Sequence, residues 1–262
     1  MTSAGAVDEI LGEWRAINRA SGSAGSIHDD DTARKLGFRG GFVGGVTLVA
    51  YAVEGWRRRE GLTLSLRPFT VTIDLRAPVY EGETARVTAR KDGRRWAYSI
   101  ETDSSGVTTS GAIDVSGTPS TGEPPVAPPQ SDRLLDGVDL AHIERQDKLF
   151  TRAETAAFYT DVLQARVIGG GELPVSIGMW SNPMTPIIER LKATHTTVHR
   201  GSEMFIERLP AADVPYTFLT TVEAITPRGP GKSLVHVRCE IVDAIGSRVA
   251  VIQHRSAVRR RD

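Results

Sequence analysis

One histidine in this chain sits among neighbours that give it chemical potential. His28 follows Ser23 and Ser26 and runs directly into Asp29-Asp30-Asp31. An imidazole titrates near neutral pH, so it suits the role of a proton acceptor. Sixteen residues later, after Gly40-Gly41, the pair Gly44-Gly45 opens an apolar run. Glycines at the start of a helix expose backbone N–H groups and let a ligand come close to them. Such N–H groups, with the helix dipole behind them, stabilise negative charge on an oxygen. Base and donors are thus placed to face one small ligand. Serine is no general base unaided, so Ser23 and Ser26 are candidates for holding a water or a substrate hydroxyl.

These residues need elements to position them. Val43 to Glu60 reads as a helix, with Val46, Ala50, Val53 and Trp56 at helical spacing. Strands are predicted near Thr70–Ala77, Thr84–Lys91, Arg95–Thr102 and Val107–Val115, with Asp92-Gly93 and Ser104-Ser105-Gly106 as hairpin turns. The second half reads alike: helical over Thr151–Leu163 and Thr185–Lys192, then strands near Thr194–Arg200, Glu203–Leu209, Tyr216–Ile225, Ser233–Val242 and Arg248–Val258. Gly117 to Ser131 carries five prolines and little to bury, the composition of a semi-rigid spacer. The expected organisation is a domain over 1–116, a Pro-rich linker over 117–134 and a second domain over 135–262. The order of elements and turns makes the halves a weak internal repeat.

The run Ile27-His28-Asp29-Asp30-Asp31-Thr32-Ala33-Arg34-Lys35-Leu36-Gly37-Phe38, followed by a glycine-rich helix entry, resembles the signature of MaoC-like hot-dog hydratases. The matching residues are Ile27, His28, Asp30, Ala33, Gly37, Phe38 and Gly45. The resemblance implies an α+β fold, a double hot-dog in which antiparallel sheets wrap helices. It also implies hydration or dehydration of an acyl thioester or a related polyketide or lipid intermediate, without metal or organic cofactor. His28 would be the base. The aspartate such enzymes carry five residues before it falls on Ser23 here, which becomes the second catalytic candidate. Ser26, Asp30, Gly44 and Gly45 would contact substrate. In the second half, Thr197–Glu203 resembles the histidine-containing strand of the non-catalytic repeat, which puts His199, with Trp180, on the acyl pocket.

Three roles for His28 stay open at this point: hydratase base, base for another reaction such as thioester hydrolysis, cyclisation or isomerisation, and remnant of a site that only binds. A rival resemblance is to double hot-dog acyl-CoA thioesterases. There the reacting set would be drawn from Asp213 or Asp243, Thr220 or Thr221, and Gln253.

Composition narrows the classes. The chain has 262 residues, zero formal net charge and 40% hydrophobic residues. No whole-chain field favours nucleic acid or an acidic membrane. Cys239 is the single cysteine, which excludes an intrachain disulfide. His195 and His199 share a spacing that suits a metal pair, but no carboxylate or cysteine supports them, so no metal is expected. The most apolar segment is too short for a bilayer span. The expectation is a soluble cytoplasmic protein acting on a CoA- or carrier-bound small molecule, with a homodimer compatible with the fold.

Overall fold

The computed structural model describes residues 8–23, 26–61, 67–116, 134–135, 138–140, 143–167 and 171–261. The Pro-rich linker expected over 117–134 therefore lies, but for its last residue, outside the described residues. The first half runs β1 (Glu9–Arg15), α1 (Asp30–Lys35), α2 (Gly45–Glu60), β2 (Phe69–Leu75), β3 (Thr84–Asp92), β4 (Arg95–Thr102) and β5 (Gly106–Asp114). A small ribbon pairs β6 (Leu134–Leu135) with β7 (Val138–Asp139). The second half runs β8 (Glu144–Leu149), α3 (Arg152–Ala157) leading into a π-helical turn (Phe158–Val162), α4 (Ile177–Trp180), α5 (Thr185–Leu191), β9 (His195–Ile206), β10 (Pro215–Gly229), β11 (Lys232–Asp243) and β12 (Arg248–Arg260).

Ten strands form one sheet in the order β1-β3-β4-β5-β2-β9-β12-β11-β10-β8. Every pairing within it is antiparallel. Each half places its first strand at the outer edge and its second at the seam, with the last three between them. The halves thus share one topology, and β2 meets β9 antiparallel at the centre: Phe69 opposes Ile206, Val71 opposes Met204 and Ile73 opposes Ser202. This is the double hot-dog plan, an α+β fold.

The helix α2 is buried over most of its length, Gly45 to Trp56, because both sheet and second half cover it. Gly61, in the left-handed region at φ 63°, ends it, and Arg57, Arg58 and Arg59 complement the dipole of its last turn. Its buried carboxylate, Glu54, is held by Arg57 at 2.7 Å and Arg58 at 3.0 Å. The main core continues across the seam, from Trp14, Tyr51 and Trp56 through Phe69 and Ile73 to Trp180, Phe218 and Ile252.

Sequence and structure differ at three points. The helical segments expected at Thr151–Leu163 and Thr185–Lys192 are present, but no helix among the described residues of the second half matches α2 in length: α4 and α5 are separated at residues 181–184, where Pro183 cannot supply a helical N–H. The strands expected at Thr194–Arg200 and Glu203–Leu209 are one continuous β9 with an irregularity near Gly201. The edge strands β1 and β8 went unread because EILGEWR and ERQDKL carry the charge typical of sheet edges, which hides the alternation.

Candidate active site

His28 is fixed by its backbone before its ring is considered. The buried Asn18 donates from Nδ2 to the His28 carbonyl at 2.8 Å, and Ser26 Oγ accepts from the His28 N–H at 3.2 Å. Gly41 runs so close beneath that a Cβ there would lie 2.1 Å from the His28 oxygen, which only glycine permits. Asp29 caps α1 through Thr32. Asp30 accepts from the Gly41 N–H at 2.9 Å and pairs with Arg34 at 2.7 Å.

The ring of His28 bonds through Nδ1 to the Phe42 carbonyl at 2.6 Å. A carbonyl only accepts, so the proton is assigned to Nδ1 and the lone pair to Nε2. Burial lowers the pKa of His28, and the bond to Phe42 partly opposes that shift. At neutral pH the ring is therefore uncharged and Nε2 is available as a base.

Beside it begins α2. Gly44 is its N-cap, and the N–H groups of Gly45 and Val46 have no acceptor inside the helix. His28 Cε1 lies 3.8 Å from where a Gly44 Cβ would be, and His199 Nδ1 lies 2.6 Å from where a Gly45 Cβ would be. Two histidines, one from each half, thus flank consecutive glycines at the helix mouth. Burial pushes the pKa of His199 down to about 4, with Arg255 and His28 adding to the fall against a bond to the Gly201 backbone carbonyl that raises it.

Beneath His199 lies a polar chain. Its Nε2 meets Ser202 Oγ at 2.8 Å, Ser202 Oγ meets His254 Nδ1 at 3.0 Å, and His254 Nε2 meets Ser256 Oγ at 2.9 Å. The two imidazoles stack with centroids 4.0 Å apart. Burial holds the His254 pKa well below the usual histidine value. A register shift between Arg255 and Ser256, opposite Gly201 and His199, allows His199 and Ser202, three residues apart, to share a face.

A cavity of about 760 Å³ opens over this arrangement and takes walls from both halves. Ser23, Ser26, His28, Gly44, Gly45 and His199 all line it. Asp30 does not: its carboxylate is spent on Gly41 and Arg34. Trp180 does not either, being buried with Nε1 donating to the Val175 carbonyl at 3.2 Å, and its neighbours Met179, Asn182 and Met184 line the cavity instead. Asp213, Asp243, Thr220, Thr221 and Gln253 are all absent from its walls. Among the described residues, the charged lining is Arg19, Arg76, Lys192, Arg200 and Arg261 against Glu189 alone, an excess of four positive charges. No group of three His, Cys, Asp or Glu is placed to hold a metal among the described residues. No helix among them is long and apolar enough to cross a membrane.

Sequence reading missed Ser202, His254 and Ser256. They carry no motif, and only the pairing of β9 with β12 brings them under His199.

No protein-family model matches the chain, and no curated protein matches its sequence. Solved structures match its fold. A protein from Chloroflexus aurantiacus J-10-fl, described as a MaoC domain protein dehydratase, superposes with a TM-score of 0.60 at 11% identity, over 98% of this chain and 95% of that one. A Mycobacterium tuberculosis protein described as a double hot-dog fold gives 0.60 at 12% identity, over 97% and 96%. A Lactobacillus plantarum protein described as an oleoyl thioesterase gives 0.53 at 10% identity, over 99% and 98%. At such identities the likeness speaks to the fold alone, and it does so over the whole length.

Proposed function

We propose that this chain is a MaoC-like hydratase or dehydratase that adds or removes water on an acyl thioester or a related polyketide or lipid intermediate. The observation that carries this reading is His28: Nδ1 tied to the Phe42 carbonyl, Nε2 left as base, and the ring beside the free N–H groups of α2. Those N–H groups would take the thioester oxygen as charge builds on it. Ser23 and Ser26 would hold the water, since serine replaces the carboxylate expected there. The cationic lining suits a substrate that carries phosphate, as coenzyme A or a phosphopantetheine carrier does.

The same reading divides the chain into domains 1–116 and 135–262 joined by 117–134. It places the protein in the cytoplasm, acting without metal or organic cofactor, and allows a homodimer. The fold is also that of a chain described as an oleoyl thioesterase, so hydrolysis of the thioester is the alternative. The residues a thioesterase set would draw on in the second half are absent from the cavity walls, which favours hydration.

The test is hydration of crotonyl-CoA followed by loss of the enoyl absorbance, with free-thiol release measured in parallel. His28→Ala should lower kcat by about 10²–10⁴, the usual share of general-base catalysis, with substrate affinity little changed. Thiol release without hydration would replace this reading with the thioesterase one. A His28→Ala variant that hydrates as well as the wild type would remove His28 from it.

A further inference from the structure

His28 alone leaves half of the proposed reaction unserved. Water addition takes a proton from oxygen and must deliver one to the carbon beside the thioester. The cavity walls hold one carboxylate among the described residues, Glu189, and it is occupied by Lys192. Directly across the helix mouth from His28 stands His199, with Nδ1 against Gly45 and Nε2 on Ser202.

We propose that His199 is a second catalytic acid–base residue, exchanging a proton with the substrate carbon next to the thioester, and that Ser202, His254 and Ser256 are positioning residues that carry the compensating proton. This deepens the hydratase reading and rests on it for the class of substrate. Ring nitrogens and hydroxyls alternate along the chain His199–Ser202–His254–Ser256, each at hydrogen-bonding distance from the next. Such a chain can point its protons either way. In one sense Nδ1 of His199 carries a proton, and in the other it is a lone pair. Burial disfavours a cation on either imidazole. A neutral histidine that gives a proton from one nitrogen must then receive another at its second nitrogen, and Ser202 is there to supply it. Both ends open on the same cavity, since His199 and Ser256 line it.

In the hydration direction, water loses a proton to Nε2 of His28 as its oxygen bonds to the β-carbon. The C=C electron pair moves to the α-carbon, which takes the Nδ1 proton of His199. Nε2 of His199 takes the Ser202 hydroxyl proton, Ser202 takes the Nδ1 proton of His254, and Nε2 of His254 takes the Ser256 proton. A solvent water passes the proton from His28 to Ser256. Water has then been added and no net charge remains on the protein. One proton entering at Nδ1 of His199 and one leaving at Ser256 reset the chain.

The experiment separates this step from hydration. Butyryl-CoA has no double bond to hydrate, so exchange of its α-hydrogen is read apart from hydration, and free-thiol release reports any hydrolysis separately. Incubated with the full-length protein in D₂O, it should gain deuterium, read by mass spectrometry. His199→Gln should slow that exchange by about 10²–10⁴. Ser202→Ala should slow it by roughly tenfold or more, with KM for crotonyl-CoA held within about twofold and the solvent isotope effect on kcat altered. A structural role for Ser202 would move melting temperature and leave the isotope effect alone. If Ser202→Ala fails to fold, ¹⁵N spectra of the wild-type histidine rings take its place: His199 and His254 should both be neutral at pH 7 and interchange tautomers. Hydration with α-exchange that survives His199→Gln overturns this inference and leaves the hydratase reading. Exchange that requires His199 without hydration does the reverse. Neither reaction in the wild type overturns both.

Discussion

Gly44 and Gly45 are adjacent, yet they should respond very unequally to the same added methyl group. At Gly45 a Cβ would lie 2.4 Å from Leu75 Cδ1 and 2.6 Å from His199 Nδ1. The leucine methyl is the end of a flexible side chain and can turn aside. The histidine ring is held by its Nε2 bond to Ser202 and its stack on His254, so it moves only by breaking the chain. Overpacking of this kind costs about 1–3 kcal/mol, and the helix-propensity gain of alanine over glycine returns at most about 1. A net loss of up to about 3 kcal/mol corresponds to a fall in Tm of up to roughly 12 °C for a chain of this size. At Gly44 the nearest atoms to a new Cβ are His28 Cε1 and Val46 Cγ2, both 3.8 Å away, and φ is −63°. Alanine fits there, at a cost of about 0.5 kcal/mol for a weaker N-cap. Thermal melts of Gly44→Ala and Gly45→Ala beside the wild type decide it. Equal melting temperatures for the two variants, or a worse result for Gly44→Ala, would refute the geometry argued for the helix mouth.

Acid should weaken the fold through the buried histidines. The His199 pKa falls from 6.5 unfolded to about 4 folded, so between those values the unfolded chain binds more protons and stability drops as pH falls. The loss is at most about 3 kcal/mol, complete below pH 4, and a His199→Gln variant should show a correspondingly flatter Tm–pH curve between pH 6.5 and 4. Asn18→Ala strips the donor from the part-buried His28 carbonyl and should cost about 1–3 kcal/mol by chemical denaturation, with a further loss of turnover as His28 shifts. Ser23→Asp, which restores a carboxylate at the cavity wall, should raise crotonyl-CoA hydration; unchanged or lower activity would show that Ser23 does not occupy the place of the missing base.

The parts of this molecule legible in its sequence are those encoded locally. The helix α2 announced itself through spacing and through Gly61, and the strands β3 to β5 through their turns. His28 and the glycines carried a recognisable spacing, and those residues do meet at one cavity. What stayed hidden depends on pairing. Ser202, His254 and Ser256 look like ordinary strand residues, and strict alternation from His199 would point Ser202 to the opposite face. The irregularity opposite Arg255 and Ser256 reverses that, and no local pattern around Arg200 discloses it. Asp30 misled for a related reason: its carboxylate serves a backbone contact eleven residues away, invisible until the loop is folded.

The central seam has a consequence for how such a site is allowed to change. In a self-paired dimer two copies of one sequence meet about a twofold axis, so one substitution alters both sites at once. Here the strands that meet at the axis belong to one chain and differ in sequence: Ile73 faces Ser202, and Val71 faces Met204. One side of the axis can keep a long helix with a bare glycine mouth while the other gives up its helix and supplies a polar floor. Division of labour replaces duplication, and a titration should find one ligand per chain, without the two equivalent half-sites that the symmetry of the strands suggests.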